Sequence, residues 1–196
     1  MTARKFLPLA LFRERNDVRR RHISKRSAPL PSVKILDIAD VTHNVRRYTL
    51  EKPAGYSFEP GQSPVVRDVW GTITYKGPGV FIAGGAGVTP FIAILRDLHH
   101  RRKLDGHTLI VSNRTEADII VREEFEAMRG LNVIWTVTDD PQSKLLHDRI
   151  DAKFLKAHVK DFAQNFYLCG PDDMVKALRG TLKELGANVE NVTWEK

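Results

Sequence analysis

Residues Gly79–Phe91 read GVFIAGGAGVTPF, and this stretch limits the fold of the chain more than any other. Val80, Phe81, Ile82 and Ala83 form a short apolar run suited to a strand buried on both faces. Gly84, Gly85 and Gly87 then strip side chains from the following turn, so its backbone can come close to a ligand. Thr89 suits an N-cap and Pro90 the first helical position, with Phe91, Ile92, Ile94, Leu95 and Leu98 as the apolar stripe of a helix. Strand, glycine turn and helix start, in that order, put unpaired amides and the positive end of a helix dipole above a sheet edge. A pyrophosphate is the chemistry such a spot attracts.

The glycine spacing alone does not single out one ligand. The dinucleotide fingerprint G-x-G-x-x-G is met only in part, because Gly85-x-Gly87-x-x ends in Pro90, and a tight βα turn of any α/β domain fits as well. A P-loop is excluded, since no Lys-Ser or Lys-Thr follows the glycines. Far downstream, Phe166-Tyr-Leu-Cys-Gly-Pro-Asp-Asp-Met174 repeats the same grammar of strand, tight turn and Pro at a helix start. Taken together, Gly84–Pro90 (GG-x-G-[IV]-[TA]-P) and Cys169–Met174 (CGP-x-x-M) resemble the ferredoxin or flavodoxin NAD(P)H reductase family.

From Gly79 onward strands and helices alternate. Strands are expected at Val80–Ala83, Thr108–Ser112, Asn132–Val137, Asn165–Leu168 and Asn191–Trp194. Helices are expected from Pro90 to about Arg102, around Ile120–Met128, at Asp151–Ala157 and at Pro171–Leu185, the last stopped by Gly186 as a C′ residue. Such alternation implies an α/β fold: a five-stranded, parallel, doubly wound NAD(P)-binding domain, with ligands at the carboxyl ends of its strands.

The N-terminal part differs. Residues 1–30 hold nine Lys or Arg against Glu14 and Asp17, while the rest of the chain balances 22 basic against 22 acidic residues. The basic excess therefore belongs to a leader, read as a disordered arm over residues 1–31, and not to the folded body. Residues 32–77 look like a truncated antiparallel β-barrel. The run VKILDIADVTHNVRRYTLEKPAGYSFEPGQ is similar to the first two strands of the reductase family's flavin-binding barrel, and the Arg67–Gly77 run to its last strand. Between Gln62 and Arg67 the family's Arg-x-[YF]-[ST]-x-x-Ser stretch is missing. FAD is the flavin the resemblance implies, and loss of those anchors predicts weak or absent flavin binding by this chain. Residues 78–196 form the NAD(P)-binding part.

The resemblance also implies the site. Gly85, Ala86, Gly87, Val88 and Thr89, with Pro90 behind them, would cradle the pyrophosphate of NADH or NADPH. Ser112, Asn113 and Arg114 would border the ribose or phosphate; the alternative is a solvated loop in which Arg114 pairs with Glu116 or Asp118. Thr138 and Asp139 stand where NADPH-preferring members place Ser and Arg; a carboxylate there repels a 2′-phosphate and accepts from a 2′-OH, which favours NADH. Arg149 occupies the position of the family's Gly-Arg-Ile-Asp arginine, beside an added acidic residue. Cys169 would lie next to the nicotinamide carbon that gives up hydride, with Gly170, Pro171, Asp172 and Met174 at the same mouth and Trp194 covering it. Read without the resemblance, Cys169 is a small buried hydrophobe and Trp194 is edge packing.

These readings converge on an oxidoreductase that passes hydride from nicotinamide to FAD and electrons onward to ferredoxin, flavodoxin or another redox protein. The alternative is a nucleotide-binding module, or inactive remnant, without its own flavin. A third reading, that the basic leader binds RNA or a membrane surface, predicts salt-sensitive binding lost with residues 1–30. Cys169 is the only cysteine, so no internal disulfide forms and a reducing, cytoplasmic setting is expected. No metal-ligand spacing, membrane-span-length apolar run or nucleic-acid-binding groove stands out.

Overall fold

In the computed structural model, residues 10–12, 34–43, 45–52, 54–55, 63–64, 69–70 and 73–194 are described. β1 (Ala10–Phe12), β2 (Ile35–Thr42) and β3 (Val45–Leu50) make an antiparallel sheet of order β1-β3-β2, and β4 (Ser63–Pro64) pairs antiparallel with β5 (Val69–Trp70). β2 to β5 stand where the sequence predicts a truncated barrel. β1 lies inside the segment expected to be a disordered arm; it runs along β3, with Ala10 opposite Tyr48 and Phe12 opposite Arg46. The remainder of residues 1–31 falls outside the described residues. Arg46 also reaches across to Asp40 of β2, at 3.1 Å.

This sheet encloses no core of its own among the described residues. Ile35, Leu36 and Ile38 stay more than half exposed, and Val45 and Ile73 are buried in the core of the α/β body instead.

That body is a five-stranded parallel sheet of order β10-β9-β6-β7-β8. Its strands are β6 (Gly79–Gly84), β7 (His107–Asn113), β8 (Leu131–Val137), β9 (Asn165–Cys169) and β10 (Val192–Trp194). β6 is buried along its whole length because β7 and β9 flank it and helices cover both faces. Alternation then sorts its side chains. Phe81 and Ala83 pack with α1 (Thr89–His100) and α2 (Arg122–Glu126); Val80 and Ile82 pack with α3 (Ala152–His158) and α4 (Asp172–Glu184). The strand order reverses between β6 and β9, which makes the gap above their carboxyl ends the switch point of the sheet.

The helix boundaries follow from local chemistry. α4 ends in a Schellman motif: Gly186 adopts φ +92°, its N–H donates to Lys183 O, and the Ala187 N–H donates to Leu182 O. α2 is shorter than the Ile120–Met128 pattern suggests, because Val121 takes a left-handed conformation (φ +47°) and holds the helix to five residues. Phe125 and Met128 still point inward. No helix among the described residues is long and apolar enough to cross a membrane.

The opposite, amino end of the sheet anchors the segment that enters it. The fully buried Tyr167 hydroxyl donates to Gly77 O (2.8 Å) and accepts from the N–H groups of Lys76 (2.9 Å) and Gly77 (3.0 Å). His107, also buried, is fixed by Leu104 O at Nδ1 and by the Tyr75 hydroxyl at Nε2, both at 2.9 Å. Phe81 stacks on Tyr167 at 4.4 Å and on His107 at 6.0 Å.

Burial raises the pKa of the Tyr167 hydroxyl, so the native state holds that proton more tightly than the unfolded chain. Tyr167→Phe should cost about 1–3 kcal/mol in urea unfolding at neutral pH, because three main-chain groups lose their partner. In the parent, stability should fall as pH rises from the ordinary tyrosine pKa through the raised folded one, and this decline should shrink in the variant.

Candidate functional site

Above the switch point two turns interlock. After β6, residues Gly85–Val88 form a 3₁₀ turn that runs straight into α1. After β9, Gly170 and Pro171 lead into α4, with Pro171 as its N-cap and Asp172 and Asp173 in its first turn. The turns touch backbone to backbone. A Cβ at Gly87 would sit 2.5 Å from the Cys169 carbonyl carbon and 2.6 Å from Gly170 N. One at Gly84 would sit 2.5 Å from Met174 Sδ and 2.8 Å from Pro171 Cδ, and one at Gly170 would sit 3.0 Å from Gly84 N. Three glycines thus let the segments Gly84–Thr89 and Cys169–Met174 share one crevice. Gly85 is different: its φ of +53° favours glycine, but the space around it is open.

One expectation is corrected here. Thr89 is not the N-cap of α1. Val88 holds that position, no side chain caps the helix, and the Thr89 N–H donates to Ala86 O. The 3₁₀ turn already curls the backbone ahead of α1, so the helix needs no side-chain cap at Thr89.

Beyond β7 and β8 a second pair of loops is tied together. The N–H groups of Thr138 and Asp139 donate to the carbonyls of Asn113 (3.0 Å) and Arg114 (2.8 Å). The Arg114 guanidinium donates to Asp139 Oδ2 at 2.6 Å, not to Glu116 or Asp118. That bond with Asp139 pushes the Arg114 pKa up. Asp118 instead closes a capping box with Thr115 and lies 3.7 Å from His43 of the β2–β3 turn. Asn113 is buried; its Nδ2 donates to Asp118 O while its Oδ1 has no protein partner. Glu116, Arg122 and Ser143 complete the tie. Nothing in the sequence marks these three as site residues, since their only signal is polarity in two loops and at the start of α2.

Cys169 ends β9 beside Ala83 and is partly exposed at the crevice. Ser112 pairs with Gly84 across the sheet. Trp194 lies on the α4 side of the sheet, packed against the second core cluster, with the Arg179 guanidinium 3.5 Å from its ring centroid. Arg149 is exposed in the segment leading to α3. Among the described residues no group of three or more His, Cys, Asp or Glu is placed to hold a metal.

The fold and this crevice define a doubly wound dinucleotide-type domain. Residues 81–180 match the model of the oxidoreductase NAD-binding domain, and the chain belongs to that family. A component of the Na(+)-translocating NADH-quinone reductase of Idiomarina loihiensis is 30% identical over 164 residues, 73% of this chain and 40% of that protein. The Yersinia pestis counterpart is 29% identical, covering 70% of this chain and 37% of its own length. The chain therefore spans about two fifths of these relatives. Among solved structures, the Amycolatopsis cytochrome P450 reductase GcoB superposes with a TM-score of 0.71 at 19% identity, over 84% of this chain and 68% of that one. A ferredoxin NADP+ reductase from Neisseria gonorrhoeae, with bound FAD and NADP, gives 0.67 at 18% identity, over 83% and 96%.

The two turn glycines should respond differently to alanine. Gly85→Ala should cost about 1 kcal/mol from backbone conformation alone. Gly87→Ala must push two backbones apart and should cost about 1–3 kcal/mol more in urea denaturation.

Proposed function

We propose that this chain binds a reduced nicotinamide dinucleotide across the carboxyl ends of β6 and β9, as the nucleotide-binding part of a flavin-dependent reductase. The observation that carries this reading is the meeting of two glycine turns at the switch point, where Gly84, Gly87 and Gly170 let the backbones leaving β6 and β9 touch and Gly85 faces open space. The amides of Gly85, Ala86, Gly87 and Val88 would face the pyrophosphate beside the amino end of α1. The nicotinamide would lie toward Cys169 and the adenosine toward the β7 and β8 loops, since β9 and β7 flank β6 on opposite sides.

Bound there, reduced nicotinamide supplies a hydride for transfer to FAD, with electrons then passing to an iron–sulfur protein or flavodoxin. Cys169 offers a small, polarisable side chain that leaves the ring face open. Asp172 and Met174 line the same mouth. Asp139 would accept from a ribose 2′-OH and repel a 2′-phosphate, which favours NADH over NADPH.

The described N-terminal residues do not fit a flavin held by this chain alone. Between Lys34 and Lys52 only Val45 is buried among the residues described, and Ile35, Leu36 and Ile38 face outward. This favours a second reading, a nucleotide-binding module whose flavin is supplied elsewhere.

An absorption spectrum with NADH titration separates the two. Flavin bands with NADH-dependent dye reduction support the self-contained reductase; colourless protein with saturable NADH uptake supports the module. No saturable uptake by folded protein rejects both. Asp139→Ser should shift the NADPH-to-NADH affinity ratio by roughly tenfold, about 1.4 kcal/mol, toward NADPH.

A further inference from the structure

The two loops beyond β7 and β8 converge on Glu116. Its main-chain N–H donates to Asp140 Oδ2 at 2.9 Å, its Oε2 accepts from the Ser143 hydroxyl at 2.7 Å, and its Oε1 pairs with Arg122. Arg122 Nε donates in turn to Glu126 Oε1 at 2.7 Å, and the same oxygen accepts from the indole N–H of Trp135 at 3.0 Å. A continuous polar chain thus links the outer loop to a buried tryptophan of β8. Leu145 packs partly buried against the core and the Leu146 carbonyl accepts from the Val137 N–H at 2.8 Å, which fixes the far end of this loop. Between Thr138 and Ser143 no residue is buried, and hydrogen bonds set the place of that stretch.

We propose that Glu116 is a positioning residue: by holding Ser143 and Asp140 it fixes the 138–146 loop as the wall against which the adenosine half of the dinucleotide lies. The inference rests on the nucleotide reading above and adds to it a residue that touches no reacting atom. The Ser143 hydroxyl, and after it Arg122, hold the Glu116 carboxyl below the usual glutamate range, so it is ionised at neutral pH and accepts from both. Asp139, the residue that would meet the ribose, is part of the loop being held.

The test compares the full chain with Glu116→Ala, Glu116→Gln and Ser143→Ala, titrating ADP-ribose, NADH and reduced nicotinamide mononucleotide into each. ADP-ribose and NADH should bind about tenfold more weakly to Ser143→Ala and Glu116→Ala, the size of one lost hydrogen bond in a polar cluster. Affinity for the mononucleotide should not change, and Glu116→Gln, which still accepts from Ser143, should recover most of the loss. Amide exchange over residues 138–146 should quicken in both alanine variants without ligand. Ser143→Ala removes one hydroxyl and keeps the test decisive if Glu116→Ala fails to fold. Unchanged ADP-ribose affinity in the variants, with or without faster exchange, overturns the role of Glu116 and leaves the nucleotide reading standing. A parent chain that binds neither ADP-ribose nor NADH overturns both.

Discussion

The close approach of two main-chain turns above β6 and β9 is the constraint on which the rest of the molecule depends. Parallel neighbours in a sheet sit about 4.8 Å apart, so the segments leaving them collide unless side chains are removed. Gly84, Gly87 and Gly170 remove them, and Met174 and Pro171 fill the remaining volume. Because the helices that follow depart to opposite faces, the same geometry that avoids the collision opens a crevice at that point. A fold requirement and the proposed ligand site are here one arrangement.

The two ends of the sheet use different chemistry for different purposes. At the amino end, Tyr167 and Asn165 bond the backbone of the entering segment, and His107 holds its Tyr75 side chain, around a stacked aromatic cluster. Buried polar groups that are fully paired make a region rigid. At the carboxyl end, exposed ion pairs and side-chain hydrogen bonds join loops whose tips carry few buried residues. Such contacts add little stability each, and their effect is to set geometry. That division suits a scaffold with a binding face: the core holds one end, and surface chemistry shapes the other.

The N-terminal sheet belongs to neither end in the usual sense. Its buried residue, Val45, shares the core of the α/β body, while β2 leaves Ile35, Leu36 and Ile38 exposed. A closed barrel would turn such residues inward and pair its edges. Three antiparallel strands and a two-residue ribbon cannot do this among the described residues, which agrees with the break in the family pattern after Gln62.

Strand and helix order, the glycine turns and the end of α4 were legible in the sequence, because each follows from contacts within a few residues: an apolar run, a turn glycine, a C′ glycine. Cys169 could likewise be placed at a strand end from its Gly-Pro neighbours. Only tertiary structure decided which turn meets which, and that Asp139, twenty-five residues away, takes Arg114 from its nearer acidic neighbours. It also decided that Trp194 lies under Arg179 on the α4 side, and that Glu116 is where two loops meet. Local pattern carries the energetics of a segment folding on itself. Pairings between distant loops depend on strand order and register, which no single stretch contains.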